Sequence, residues 1–296
     1  MTHVPVLLKE AVDGLNIGPG DSVLDATFGG GGHGREICKI IGKLGRLIAI
    51  DADEEAKKRV SEECLGSCQF ELVVGNFRDL DEILKQRGIN RLDAILFDLG
   101  LSSFQLEESG RGFSFQKDEP LQMTFGADRN SLPFTAFEIV NDWDENNIAD
   151  IIYGYGGEKF SRVIAKKIVE NRKIASIKST FDLVRVIGES VPDFYKRRRI
   201  HFATKTFQAI RIAVNDEMGA LKEAISKAWS VLDKGGRLAV ISFHELEDRI
   251  VKRFFKDKKE DGSLLILTKK PITPSFKEIS NNIRSRSAKL RVGEKV

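Results

Sequence analysis

The sequence predicts an α/β protein, a Rossmann-like doubly wound sheet that carries an inserted all-helical domain. Three observations predict it. Short apolar runs that end in an acid alternate with helical stretches through the first third of the chain, the pattern of a parallel sheet covered by helices on both faces. The run SVLDA from Ser22 leads straight into four consecutive glycines and then a helix, the way such sheets present backbone to a nucleotide-like ligand. The alternation then stops, periodicity turns purely helical between residues 133 and 191, and sheet rhythm resumes after His201. The expected division is residues 1–108 for the first part of the sheet domain, 109–200 for the helical insertion, and 201–296 for the second part with a basic tail.

The elements follow in order. Leu7, Leu8, Ala11, Val12 and Leu15 have helical spacing, and Gly18-Pro19-Gly20 ends that helix, which lies in front of the first strand as a lid or docking helix. His3 precedes it and is a weak substrate-contact candidate. Strands are expected at 22–26, 46–51, 70–74, 92–98, 237–243 and 264–268. Helices are expected from His33 to about Gly42, through the charged stretch ending at Cys64, as one long amphipathic helix over 206–232, and from His244 to Phe255. The residues from Lys277 onward read as a basic tail with six Lys or Arg against two acids.

The chain has 296 residues, 41% hydrophobic and 31% charged, enough for a sizeable core and unlike a disordered chain. A formal net charge of +3 argues neither for nor against nucleic acid. The local clusters say more: Lys196-Arg197-Arg198-Arg199 and the basic tail together favour a polyanionic partner. Three cysteines, Cys38, Cys64 and Cys68, without a paired metal spacing suggest reduced thiols and a cytoplasmic protein, with no metal site. The N-terminus lacks the pattern of a signal peptide, and no apolar run approaches the roughly 20 residues that span a bilayer.

Candidate ligand residues gather at the carboxyl ends of the expected strands. Gly29-x-Gly31-x-x-Gly34 satisfies a dinucleotide fingerprint, a weak signal by itself. Asp25 sharpens it: D-x-T-x-G-x-G-G-H resembles the first motif of S-adenosylmethionine methyltransferases, because an acid near the turn favours an ammonium and a sulfonium. Asp51 ends the second strand, where an acid accepts hydrogen bonds from ribose hydroxyls, although it or Asp53 could instead cap the following helix. Phe77 could stack on an adenine ring or pack under the next helix. Asp98, Ser102, Ser103 and His244 lie after the fourth and fifth strands; Ser102 and Ser103 could equally form a turn, and His244 could cap a helix.

Taken together, H-x-x-V-L-L-x-E-A-V from His3, D-x-T-F-G-x-G-G-H from Asp25, A-I-D from Ala49, D-L-G-L-S-S from Asp98, Gly110-Arg111-Gly112-Phe113-Ser114-Phe115, TFQAIRIAVN from Thr206, ISFHELEDRIVK from Ile241 and R-S-x-K-L-R from Arg286 resemble the RsmH (MraW) family of 16S ribosomal RNA cytosine-N4 methyltransferases. The resemblance runs essentially end to end. It implies a class I S-adenosylmethionine methyltransferase fold and S-adenosyl-L-methionine as cofactor, held by Gly31, Gly32, His33, Asp51, Phe77, Asp98 and Gln105. It implies methylation of the exocyclic amine of a cytosine in the decoding centre, nucleotide 1402 in the usual numbering, within the assembled small subunit, and it leaves a homodimer open. Catalytic candidates are Ser102, Ser103 and His244. The chain departs from the family pattern at Phe104, Gln122 and Lys205. Competing readings are a methyltransferase of another substrate, an NAD-dependent oxidoreductase, and a non-catalytic RNA-binding assembly factor.

Overall fold

The computed structural model describes residues 5–60, 66–126 and 133–296, with backbone alone at Arg59 and Ser103. Two of the positions singled out in the sequence, His3 and Cys64, lie outside the described residues. The chain forms two compact units, one made of Met1–Gly100 with Met218–Val296 and the other of Leu101–Glu217.

The first unit is built on a seven-stranded sheet of order β3-β2-β1-β4-β5-β7-β6. Its strands are β1 (Ser22–Asp25), β2 (Arg46–Asp51), β3 (Gln69–Val74), β4 (Leu92–Asp98), β5 (Leu232–Ser242), β6 (Leu264–Ile266) and β7 (Lys289–Lys295). The first five strands pair in parallel, and β7 inserts antiparallel between β5 and β6. Alternating residues supply two cores, as the pleat requires. Leu24, Ile48, Ile50, Ile95, Phe97, Leu238 and Val240 face one core, and Val23, Leu47, Ala94, Leu96, Ala239 and Ile241 face the other. Burial on both faces explains why these strands read as continuous apolar runs. The first core is completed by α3 (Leu80–Lys85), α11 (Glu217–Val231) and α12 (Glu245–Glu260), and the second by α1 (Leu8–Leu15) and α2 (Gly32–Ile41).

The second unit is helical. It contains α4 (Ser103–Glu107), α5 (Ala136–Asp142), α6 (Glu145–Gly156), α7 (Ser161–Arg172), α8 (Thr180–Ser190), α9 (Asp193–Lys196) and α10 (Thr204–Asn215). Here α6 packs on α7 and α10, and α7 packs on α8. Thr135 with Glu138 and Ser179 with Asp182 form capping boxes at the starts of α5 and α8. The unit extends beyond the expected 109–200 because Phe207, Ile210 and Val214 of α10 belong to its core.

Four local expectations change. The single helix expected over 206–232 breaks at Asp216, whose φ of 43° is left-handed, while the Asn215 side chain is drawn away to the carbonyl of Met123. The end of the basic tail is the strand β7, and its apolar alternation of Leu290 and Val292 was masked by the cations between them. β5 begins at Leu232, earlier than expected, because Lys234-Gly235-Gly236 runs within the strand. Cys38 and Cys68 form a disulfide where free thiols were expected. The packing of α2 and the start of β3 brings their Cα atoms to 5.2 Å although 30 residues separate them in sequence. That pairing removes cysteine usage as an argument for the cytoplasm. Among the described residues, no helix is long and apolar enough to cross a membrane.

Candidate active site at the carboxyl ends of the strands

Strand order reverses between β1 and β4, where an open α/β sheet leaves a crevice outside its carboxyl ends. Asp25 closes β1 and Asp98 closes β4, so an acid stands on each side of that point. Four of the expected positions, Gly31, Gly32, His33 and Asp51, are brought together around the turn that follows β1.

The turn owes its shape to its glycines. Gly31 caps α2 in a left-handed conformation, φ 71°, and a Cβ there would stand 2.6 Å from the ring of Phe28. At Gly32 a Cβ would stand 2.1 Å from Cγ of Pro5. The segment before α1 therefore lies directly on the turn, and the carbonyl of Val6 is 3.2 Å from Nε2 of His33. No side chain caps the start of α2. Asp51 fixes the other side: its two carboxylate oxygens accept from the backbone of Gly29 at 2.7 Å and Asp53 at 2.8 Å. Asp53 supplies the cap for the 3-10 turn Glu54–Arg59, which leaves Asp51 aimed at the glycine turn.

The electrostatics are unusual for a resting protein core. Asp98 is half-buried, with Oδ2 3.5 Å from Nδ1 of His33 and a buried Oδ1 without a hydrogen-bond partner. Its backbone donates to the hydroxyl of Thr27 at 2.6 Å, which ties β4 to the turn. Burial, and after it the charges of Asp25 and Glu247, hold the Asp98 carboxyl well above the usual carboxylate range. Burial likewise pushes Asp25 up to about 7, against the hydrogen bond it accepts from the Thr27 backbone. Buried acids with raised pKa values in a crevice mark a site prepared for positive charge. Glu247 was missed in the sequence, although its place in the acidic run after β5 was the available signal.

Phe77 stands at the end of β3, half-buried, with its edge packed against Phe97 at a centroid distance of 5.8 Å. His244 caps α12: its Nδ1 accepts from the Glu247 backbone at 3.4 Å, and its Nε2 lies 3.2 Å from Oε1 of Glu247. Ser102 and Gln105 belong to the second unit and are reciprocally bonded as the capping box of α4. Ser103 opens α4, and its side chain lies outside the described residues. Of the departures from the family pattern, Lys205 donates to the carbonyl of Gly157 at 2.8 Å, a structural tie that closes α6. Phe104 lies within α4, and Gln122 accepts from the backbone of Ala136 through its own carbonyl.

The sequence model of the MraW methylase family matches residues 1–296. The chain is 46% identical over 310 residues to the ribosomal RNA small subunit methyltransferase H of Brevibacillus brevis, covering 99% of this chain and 98% of that protein. It is 47% identical over 296 residues to the protein of the same name from Dictyoglomus thermophilum, covering 99% and 96%. Among solved structures it is similar to a methyltransferase from Streptococcus mutans in complex with SAH, with a TM-score of 0.47, 13% identity and 99% of each chain covered.

Proposed function

The chain belongs to the MraW methylase family, and from that premise we propose that it methylates 16S rRNA of the small ribosomal subunit with S-adenosyl-L-methionine, at the exocyclic N4 amine of the cytosine at nucleotide 1402. The observation that carries the reading is Asp98: a half-buried carboxyl whose buried Oδ1 has no hydrogen-bond partner, beside Asp25 and Glu247, at the point where strand order reverses. A cationic nucleoside cofactor fits that donor set, and a pyrophosphate does not, since like charges at this range repel. This disfavours an NAD-dependent oxidoreductase.

When bound, S-adenosyl-L-methionine supplies a methyl group on a positively charged sulfur. Asp98 and Asp25 answer its positive charge, Asp51 receives its ribose hydroxyls, and Phe77 offers a ring to its adenine. Gly31 and Gly32, which make room for Phe28 and Pro5 and so shape the turn, would hold its amino acid end together with His33. Gln105 completes the set on the family resemblance alone. The amine N4 is a poor nucleophile, because its lone pair is delocalised into the base. The protein must hold it about 3 Å from the methyl carbon, in line with the breaking bond, and take up its proton. Ser102, Ser103 and His244 are the proposed acceptors, and no metal is required for this chemistry. A paired cytosine would have to leave its stack. The cation run Lys196 to Arg199, all four exposed, is suited to phosphates. Action on the assembled small subunit places the protein in the cytoplasm, and a homodimer is compatible with the reading.

The test is methyl transfer from labelled S-adenosyl-L-methionine to small subunits from cells lacking this protein, followed by nucleoside analysis. The expected product is N4-methylcytidine. Label in another nucleoside would replace the cytosine reading, and tight cofactor binding with no transfer to any subunit would favour an RNA-binding assembly factor.

A further inference from the structure

The structure divides the basic tail into two kinds of cation. Lys289 and Arg291 pair with Asp248 at 3.2 and 2.7 Å, and Lys295 donates to the carbonyls of Trp229 and Leu232. These three are part of the architecture. Lys277 and Arg286 are exposed and, among the described residues, make no ion pair. They lie on α13 (Phe276–Asn281) and the 3-10 turn Ile283–Ser287, two short elements packed on one another. The one acid of α13, Glu278, is occupied, because its Oε1 accepts from the backbone of Leu7 at 2.7 Å.

The same two elements carry two exposed apolar side chains, Phe276 at 95% and Ile283 at 62% of full exposure. A single exposed apolar residue needs no explanation. A phenylalanine almost wholly in water on a held backbone, followed directly by an exposed lysine and packed element against element with a turn that carries Ile283 and Arg286, does. The backbone is held. Ser275 caps α13, Asn282 caps the following turn, and the buried Ser285 donates to the carbonyl of Asn282 at 2.7 Å. A ring face beside free cations is the pairing that single-stranded nucleic acid demands: a platform for a base and positive charge for the backbone. A protein partner would more naturally call for a wider apolar patch, and a membrane for a longer amphipathic face.

We propose that α13 and the turn after it form a docking platform for a single-stranded stretch of RNA, with Phe276 stacking on a base while Lys277 and Arg286 meet phosphates. The proposal rests on the rRNA reading above and adds a contact surface within the sheet unit. The platform is one hydrogen bond from the segment that lies on the glycine turn, through Glu278 and Leu7, while Pro5 and Val6 of that segment touch Gly32 and His33. RNA held there is thus anchored to the same segment that lies over the proposed cofactor site.

The experiment uses the full chain and a fluorescently labelled single-stranded oligoribonucleotide of mixed sequence, titrated over a range of salt concentrations. Phe276→Ala should weaken binding by about 5- to 150-fold, the value of one base–aromatic stack, and Phe276→Trp should restore it. Lys277→Gln with Arg286→Gln should lower the slope of log affinity against log salt by about 1.4, two phosphate contacts on a single strand. Cofactor affinity should be unchanged in all of them, which shows that the fold is intact. Unaltered affinity and slope in both variants overturn the platform, and if the wild type still methylates small subunits, the function stands without it. If Phe276→Ala loses affinity for small subunits but keeps it for the oligomer, the partner is a protein and the RNA proposal fails. A wild type that binds the oligomer through Phe276 yet transfers no methyl group to subunits retains the platform and loses the proposed activity.

Discussion

Two polar clusters, one in each compact unit, end in opposite ways. In the helical unit, the polar side chains of Asn215, Arg172 and Tyr195 are tied to partners that close the architecture. Asn215 donates to the carbonyls of Met123 and Arg211 and accepts from the backbone of Phe125, and Arg172 donates to the carbonyls of Val140 and Trp143. Tyr195 donates to the buried Glu158 at 2.5 Å, and this bond anchors the short helix that leads into the cation run. In the sheet unit, Asp98 keeps a buried oxygen unpartnered, with other acids as its neighbours. Since buried polar groups are normally satisfied, a buried carboxylate oxygen without a donor, set among other acids, suits a cationic ligand. The lesson is that a polar atom withdrawn from water supports opposite conclusions, according to whether the fold supplies its partner.

The sharpest way to break this comparison is Asp98→Asn. The amide keeps the shape and removes the charge. Cofactor affinity and methyl transfer should fall by about a hundredfold or more, the scale of losing a preorganised charge contact at a reacting centre. The melting temperature should hold or rise, because a carboxyl desolvated and crowded by Asp25 and Glu247 does not favour the fold. Calorimetric titration beside thermal unfolding reads both. A lower melting temperature with unchanged cofactor affinity would make Asp98 architectural, and the contrast between the units would disappear.

Asp25 gives the next largest effect, through pH. Its carboxyl is raised to about 7 in the fold. The sign for the ligand-free protein follows directly. The proton-bound form is favoured in the folded state, so its contribution to stability is fully present below the ordinary value of 3.8 and is lost as pH rises through about 7. A cationic cofactor prefers the ionised form, so its affinity should change the other way, falling by up to about tenfold for each pH unit below the raised value. Opposite slopes for stability and affinity, both flattened by Asp25→Asn, are the expected outcome of unfolding and binding measured across that window.

In the helical unit the corresponding substitution is Tyr195→Phe. It strips the hydrogen bond from a fully buried Glu158 and should cost about 1–3 kcal/mol of that unit's stability. Cofactor affinity should not move. Chemical denaturation followed by a probe in each unit separates the two readouts.

These contrasts also mark what was legible in the sequence. The strand ends were, because a parallel strand buried on both faces is a short apolar run with a visible stop, and Asp25, Asp51 and Asp98 each stand at such a stop. The glycine turn was legible as a turn, yet nothing local announced that Pro5 would lie against Gly32. β7 was hidden because Arg291, which pairs with Asp248, sits between its inward residues and reads as part of a charged tail. The pairing of Cys38 with Cys68 and the approach of Glu247 to Asp98 depend on elements far apart in the chain. Periodicity reports a residue's own face of its element, and says nothing of what the other side of a crevice brings.

The smallest effect concerns a residue on which the sequence left two readings open. Ser102 could accept the amine proton or shape a turn, and the structure engages its hydroxyl with the backbone of Gln105 at 3.2 Å while Gln105 returns a bond to the backbone of Ser102 at 3.0 Å. As a cap, its replacement by Ala should cost about 1 kcal/mol of stability in the helical unit, and Ser102→Asp, which can also cap, should recover most of it. As a proton acceptor, its replacement by Ala should leave stability nearly unaltered, lower kcat with KM for RNA unchanged, and shift the pH profile of transfer. Steady-state transfer for the two variants, beside their unfolding curves, assigns the hydroxyl. The reciprocal bond with Gln105 predicts the first pattern and, with it, a proton acceptor drawn from Ser103 or His244.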